Sequence, residues 1–196
     1  VYVPVTGLSA KYFARQLLCI LGIVLSKHKN VRFTLATYRR FDWSTNAILQ
    51  SLRNEFPGRI SLTKIGPHDT RSDTYRQYDW TLYLPYKDDV YVPALQSLTV
   101  GTPVITLAIP PSNECVLHEY SGFCIGSDTM PDPLWGSPIV ASPNTQHVVS
   151  AIGTVLNNPE ILDTAMSQPW GFMDIRKRTF DSVWKTIWEE PSPQAK

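Results

Sequence analysis

Short apolar segments rich in β-branched residues alternate along this chain with longer segments in which apolar residues recur at helical spacing. The apolar segments predict strands at 1–8, 31–38, 59–66, 80–86 and 103–109, with a small sixth strand near 121–126. The segments between them predict helices at 9–29, 42–56, 70–78 and 92–100. Strands joined by helical crossovers pair in parallel, so the pattern predicts an α/β fold in which helices cover both faces of one parallel sheet.

Residues that typically begin or end helices lie at several of these boundaries. The candidate N-cap of the first helix is Ser9, and that of the second helix is Asp42 or Ser44. A later helix has Asn144 or Thr145 as its candidate N-cap. Pro57-Gly58 and Gly101 stand where the second and fourth helices should end. One residue fits less well, because Pro4 has no N–H to donate and should move its strand toward an edge of the sheet or shorten it.

The rest of the chain is expected to complete the same domain. Residues 138–142 predict a strand that approaches the edge of the same sheet, and 173–189 predict a final amphipathic helix. The Pro- and Ser-containing segment 191–196 should be disordered. We therefore expect a single domain over 1–190 followed by a disordered tail.

Composition and charge narrow the class of protein. Of the 196 residues, 43% are hydrophobic, which is enough for a packed core. The formal charge of +1 gives no field that would attract nucleic acid, so we expect no nucleic-acid partner. The longest apolar run, residues 17–25, is far shorter than the roughly 20 residues that span a bilayer, so we expect no membrane span. The chain begins with Val1 rather than Met, and we expect a processed chain or a piece of a larger one.

The three cysteines indicate the compartment. An odd number without metal-ligand spacing favours neither a disulfide framework nor a zinc site. Cys19 lies in an apolar helical run and is expected to be a small buried hydrophobic residue. We expect Cys115 and Cys124 to be reduced thiols, which predicts a cytoplasmic protein.

Candidate chemistry is expected where the strands end, because open parallel sheets bind ligands at the carboxyl ends of their strands. Gly7 and Lys11 flank the predicted start of the first helix, where backbone N–H groups and a lysine can hold a diphosphate; a solvated surface lysine is the alternative. Asp88-Asp89 is the best carboxylate pair and follows the fourth strand. We assign no catalytic residue and no metal ligand, because the four histidines are scattered and no HExxH or GxSxG motif is present.

A second cluster combines basic and aromatic residues after the second strand. Arg39, Arg40, Phe41 and Trp43 could contact RNA or phosphate. In a nearly neutral domain, an aromatic anchor for the loop is the preferred interpretation.

Segment 78–126 contains an ordered series of motif residues: Asp79, Pro85, Pro93, Leu98, Gly101, Pro103, Val104, Glu114 and Gly122. These residues fall in register with the motifs of a known enzyme family, and the segment resembles the donor-binding half of the retaining GT-B glycosyltransferases of group 1 (glycogen-synthase-like). Segments 65–80 and 142–162 resemble the family on either side, so the likeness covers most of the chain. The resemblance implies the C-terminal, Rossmann-like half of a GT-B enzyme.

The same resemblance implies a donor site. The family's two acidic residues, which have seven residues between them, fall on Asp88 and Gln96. Asp88 would contact donor-sugar hydroxyls and Gln96 would hold the ribose, and Asp89 lies beside Asp88 in place of a family glycine. The implied phosphate-binding residues are Gly7, Lys11 and Arg15, the last replacing the family's arginine. The implied base-binding residues are Ile65, Gly66 and Pro67.

The resemblance implies that the chain binds a nucleotide diphosphate sugar, such as a UDP- or GDP-sugar, as substrate. Transfer would need no metal or other cofactor, and the acceptor would be held by an N-terminal domain absent from this chain. The isolated domain should therefore be inactive. The alternative is a catalytically inactive GT-B-like domain that acts as an interaction or scaffold module, which the change of glutamate to Gln96 and the loss of glycines at 89–91 favour.

Overall fold

The computed structural model describes residues 1–5, 14–37, 40–65, 72–85, 92–110, 112–118, 120–131, 139–158, 160, 163 and 164. The strands within these ranges are β1 (Tyr2–Val5), β2 (Phe33–Thr37), β3 (Ile60–Lys64), β4 (Thr81–Tyr83), β5 (Val104–Leu107), β6 (Gly122–Ile125), β7 (Ser127–Pro131) and β8 (Ile139–Pro143). The helices are α1 (Ala14–Lys27), α2 (Trp43–Glu55), α3 (Ser72–Tyr75), α4 (Val92–Thr99), α5 (Ser112–Cys115) and α6 (Thr145–Asn157). The predicted alternation of strands and helices is confirmed over this part of the chain. The expected final helix at 173–189, the tail 191–196 and the Ser9 cap lie outside the described residues.

Six of the described strands form one parallel sheet, here called the main sheet, in the order β3-β2-β1-β4-β5-β6. The chain moves outward from β1 to β3, then returns to the other side of β1 and moves outward again. The strand order therefore reverses between β1 and β4. In doubly wound sheets this reversal opens a crevice at the carboxyl edge, where ligands bind.

Side chains on successive strand residues point to opposite faces of the main sheet, and each face is covered by its own helices. On one face, Val3, Leu35 and Leu82 join the buried residues of α1, α2 and α6 in a single core. The other face packs against α3, α4 and α5, with Tyr2 and Tyr83 among its buried residues. The prediction that helices cover both faces is confirmed.

Local signals explain where helices begin and end. Asp42 is the N-cap of α2, since its carboxylate accepts from the backbone N–H of Thr45 at 2.9 Å. Asn144 caps α6 in the same way. Gly101 has a φ of 81°, a conformation that glycine adopts without strain, and it follows the end of α4.

Pro4 lies in the centre of the main sheet, so its expected displacement toward an edge is wrong. The strand tolerates this proline because the N–H that proline lacks would point toward β4 and not toward β2. The backbone N–H of Tyr2 donates to the carbonyl of Trp80, and the next donor on that side of β1 would be position 4. The described pairing of β1 with β4 accordingly consists of Tyr2 and Thr81, whereas β1 pairs with β2 along its whole length.

Two further expectations are corrected. The segment expected at the edge of the main sheet, 138–142, contributes β8, which instead pairs antiparallel with β7 in a separate two-stranded sheet. The side-chain amide of Gln16 donates to the carbonyl of Pro143 at 3.1 Å and ties the end of this hairpin to α1. Cys19 is exposed rather than buried, because the buried stripe of α1 passes through Leu18 and Ile20 and leaves position 19 on the outer side.

Candidate functional site

The candidate site is the carboxyl edge of the main sheet around the reversal between β1 and β4. Six of the nine predicted site residues lie outside the described residues: Gly7, Lys11, Gly66, Pro67, Asp88 and Asp89. They follow the described ends of β1, β3 and β4 in the chain. The structure describes the other three, Arg15, Ile65 and Gln96.

Gln96 lies on α4 and is half-buried. The hydroxyl of Tyr75, on α3, donates to its Oε1 at 3.3 Å. The backbone carbonyl of Gln96 accepts from the hydroxyl of Thr99 at 2.9 Å within the helix. The amide that would hold a ribose is therefore oriented by a residue from a different helix.

Ile65 follows directly after β3. Its backbone N–H donates to the carbonyl of Thr37, at the end of β2, at 3.0 Å. Its side chain is buried in a small cluster with Tyr2, Ala36 and Tyr75. The structure thus brings the predicted base-binding and ribose-binding positions Ile65 and Gln96 to one residue, Tyr75, on the same face of the main sheet.

A second set of polar contacts fixes α4 against the main sheet. The hydroxyl of Ser97 is buried and lies 2.8 Å from both the Thr81 hydroxyl and the carbonyl of Thr102. The Thr102 hydroxyl donates to the backbone carbonyl of Tyr75 at 2.9 Å. These buried bonds join α3, α4 and β4, so the helix that carries Gln96 cannot rotate without leaving polar groups unsatisfied.

Arg15 lies elsewhere, in the first turn of α1, on the opposite face of the main sheet. Its guanidinium lies 3.7 Å from a carboxylate oxygen of Asp42 and also donates to the Ser44 hydroxyl. Hydrogen bonds from the Ser44 hydroxyl and then from the backbone and side chain of Thr45 hold the pKa of Asp42 well below its usual range, with a further contribution from Arg15. Arg15 is therefore already paired with an ionised carboxylate, and a phosphate would have to compete with Asp42 for it.

The two aromatic residues of the cluster after β2 lie in different environments. Phe41 is buried, and the side-chain amide of Asn46 holds its carbonyl at 2.9 Å, so Phe41 is the expected loop anchor. Trp43 is not an anchor, since 86% of its surface is exposed at the first position of α2. Sequence reasoning missed Tyr75, which falls inside the resembling segment 65–80 but carries no motif that distinguishes it from a packing residue.

No group of three or more His, Cys, Asp or Glu side chains among the described residues is arranged to hold a metal ion. Over the same residues, no helix combines the length and the apolar character needed to cross a membrane. The three thiols are free, and burial raises the pKa of Cys124 to about 11.

Comparison with known proteins shows where else this fold occurs. The sequence matches no protein-family model and no curated protein. Solved structures do match. Sucrose-phosphate synthase from Thermosynechococcus elongatus superposes with a TM-score of 0.60 at 15% identity, over 97% of this chain and 46% of that enzyme.

Two further structures superpose in the same way. WaaG, a glycosyltransferase involved in lipopolysaccharide biosynthesis, has a TM-score of 0.59 at 15% identity, over 86% of this chain and 42% of that protein. HepE from Anabaena, in complex with UDP, has a TM-score of 0.56 at 13% identity, over 94% of this chain and 48% of that protein. This chain spans less than half the length of each of these three structures. Its Rossmann-like sheet, flanked on both faces by helices, has the fold of one half of the GT-B glycosyltransferases.

Proposed function

We propose that this chain is the donor-binding domain of a GT-B glycosyltransferase and binds a nucleotide diphosphate sugar. The glycosyl group would pass to an acceptor held by a separate N-terminal domain. The observation that carries the proposal is the convergence of Ile65 and Gln96 on Tyr75, since these are the positions at which the family resemblance expects base and ribose. A base beside Ile65 and a ribose beside Gln96 would belong to one nucleoside.

The remaining parts of the donor are assigned from the order of the chain. The diphosphate would bind Gly7 and Lys11, which follow β1 and precede α1, with Arg15 able to join them by exchanging Asp42 for phosphate. Helix N-terminal N–H groups and lysine stabilise the negative charge that a departing diphosphate carries, so this site would need no metal. The sugar would bind Asp88 and Asp89, which follow β4 across the strand reversal.

The structural neighbours support this proposal. HepE is described in complex with UDP and, in a second structure, with UDP and glucose. Both structures share the fold of this chain over more than nine tenths of its length. A nucleotide-sugar substrate for this chain is consistent with that likeness.

The second candidate, an inactive interaction module, is favoured by two observations. Gln96 is neutral, so it offers weaker hydrogen bonds to a diol than a carboxylate does. Arg15 is paired with Asp42, which offsets its charge. A domain that had lost donor binding would keep its fold, and it would need neither a carboxylate at position 96 nor an unpaired guanidinium at position 15.

A thermal-shift panel of UDP, GDP and their sugars separates the two candidates. A ligand at ten times its Kd stabilises a protein by about 1.4 kcal/mol, which raises the Tm of a domain of this size by roughly 3–5 °C. We expect such a rise for at least one nucleotide, unchanged by EDTA. Lys11→Ala and Asp88→Ala should abolish it.

Matched controls exclude a general effect of removing charge. Lys27→Ala, in the last turn of α1, and Asp163→Ala, at an exposed position, should keep the full shift. If no nucleotide or nucleotide sugar raises the Tm of the wild-type protein, donor binding is refuted and the interaction module is the better account.

A further inference from the structure

Tyr75 is held from several sides, although it carries none of the predicted chemistry. Tyr75 is 5% exposed, and its ring meets the ring of Tyr2 edge to face, with centroids 5.0 Å apart and planes at 76°. Its backbone carbonyl accepts from the buried Thr102 hydroxyl. Ile65 and Ala36 complete the cluster around it. The position of its phenol oxygen is therefore set by packing that does not involve Gln96.

The consequence for Gln96 follows from the chemistry of an amide. The two ends of a glutamine side chain have similar shapes, and only hydrogen bonding decides which end carries the oxygen. The Tyr75 hydroxyl donates to Oε1 at 3.3 Å, which turns the carbonyl toward α3. A carbonyl oxygen has two lone pairs, so it can accept from a ligand hydroxyl while it accepts from Tyr75.

We propose that Tyr75 is the positioning residue for Gln96 and thereby makes the site prefer ribonucleotides to 2′-deoxyribonucleotides. The inference rests on the proposed function, because it assigns the ribose hydroxyls to Gln96. A carboxylate would accept from a diol in either orientation, whereas an amide must be turned the right way. The tyrosine supplies the orientation that the neutral side chain at position 96 does not have by itself.

The test compares UDP with 2′-deoxy-UDP, and GDP with 2′-deoxy-GDP, by calorimetric titration of the whole chain. We expect the wild-type protein to prefer the ribonucleotide by about tenfold, as expected of one to two neutral hydrogen bonds. Tyr75→Phe should weaken ribonucleotide binding about fivefold and leave deoxyribonucleotide binding within a factor of two, so that most of the preference disappears. A structural role alone would weaken both ligands equally.

Tyr78→Phe is the matched control. Tyr78 packs against the same Tyr2 ring, with centroids 4.9 Å apart, and it should keep the wild-type preference. Gln96→Met removes the amide at nearly constant volume and should abolish the preference, and adding Tyr75→Phe to it should cost nothing more. If Tyr75→Phe alone unfolds the protein, Gln96→Met still tests whether the ribose preference depends on the amide.

The outcomes separate the two levels of the argument. If the wild-type protein binds neither UDP nor GDP, the proposed function is refuted and this inference fails with it. If it binds one of them and Tyr75→Phe keeps the ribose preference, or loses both ligands equally, the role of Tyr75 alone is refuted. If Gln96→Met keeps the preference, the ribose does not depend on Gln96, and the inference is likewise refuted.

Discussion

Arg59 holds together the end of the main sheet opposite the candidate site. It precedes β3, and its guanidinium reaches back to the last turn of α1 and to the loop that follows it. Nε donates to the carbonyl of Val31 and Nη1 to that of Leu25, both at 3.0 Å, and Nη2 donates to the carbonyl of His28. One cation thus donates to three carbonyls at and beyond the end of α1, and it complements the helix dipole.

The magnitude follows from these bonds. Hydrogen bonds from a charged donor contribute about 1.5–3 kcal/mol each when buried, but Arg59 is only half-buried, and water around its exposed part weakens them. Counting each bond at about 1 kcal/mol, Arg59→Met should lower the free energy of unfolding by about 3 kcal/mol. Methionine keeps much of the aliphatic contact with Phe56, over whose ring the guanidinium lies at 5.6 Å, so the loss reports mainly the hydrogen bonds.

Urea unfolding followed by tryptophan fluorescence measures the change. With an m-value of about 2 kcal/mol/M, the midpoint should fall by about 1.5 M for Arg59→Met. It should fall by roughly 1 M for Arg59→Lys, because its single nitrogen replaces three and keeps about one of the three bonds. Arg32→Met, at a nearby exposed position, is the control and should change the midpoint little. A loss below about 0.5 kcal/mol, or equal losses for Arg59→Met and Arg32→Met, would refute the reasoning.

Two further predictions concern a close backbone contact and a buried thiol. Gly122→Ala should lower the free energy of unfolding, measured by heat or urea, by on the order of 3 kcal/mol, because the added Cβ would lie 1.9 Å from the carbonyl oxygen of Val104. The control is Gly58→Ala, where φ is 71° and no atom lies within 4 Å of the added Cβ, and it should cost about 1–2 kcal/mol. Equal losses for the two variants would show that the contact with Val104 is unimportant. Burial raises the pKa of Cys124 to about 11, so about a thousandth of its thiol groups should be thiolate at pH 8. An alkylating reagent should therefore label the exposed Cys19 first, as measured by mass spectrometry. Earlier labelling of Cys124 would contradict its burial.

The alternation of strands and helices could be predicted because each element carries its own local signal. Asp42 and Asn144 are N-caps, and a cap acts within three residues of itself. The β7–β8 hairpin was placed wrongly because β7, with the sequence SDTMP, is too polar to predict a strand, and its partner alone resembled an edge strand. Cys19 was misplaced because the run around it is apolar on every side, so hydrophobicity alone did not show which side faced the core.

The candidate site could be predicted only where a motif spacing marked it. The spacing from Asp88 in the chain identifies Gln96 as a candidate. The contact between Gln96 and Tyr75 could not be predicted, because these two residues belong to different helices. The pairing of Arg15 with Asp42 joins residues 27 positions apart and has no local pattern. Contacts of this kind depend on the order of strands in the sheet, which the sequence does not state directly.

Pro4 has a consequence for the evolution of any site at this edge. Because a proline cannot donate, β1 and β4 cannot extend their ladder past Tyr2 through that position, whatever residues occupy the loops beyond. The missing donor is thus a property of the backbone and does not depend on the loop side chains. Loops that follow β1 and β4 can change their length or chemistry while this interruption of the ladder beneath them stays the same.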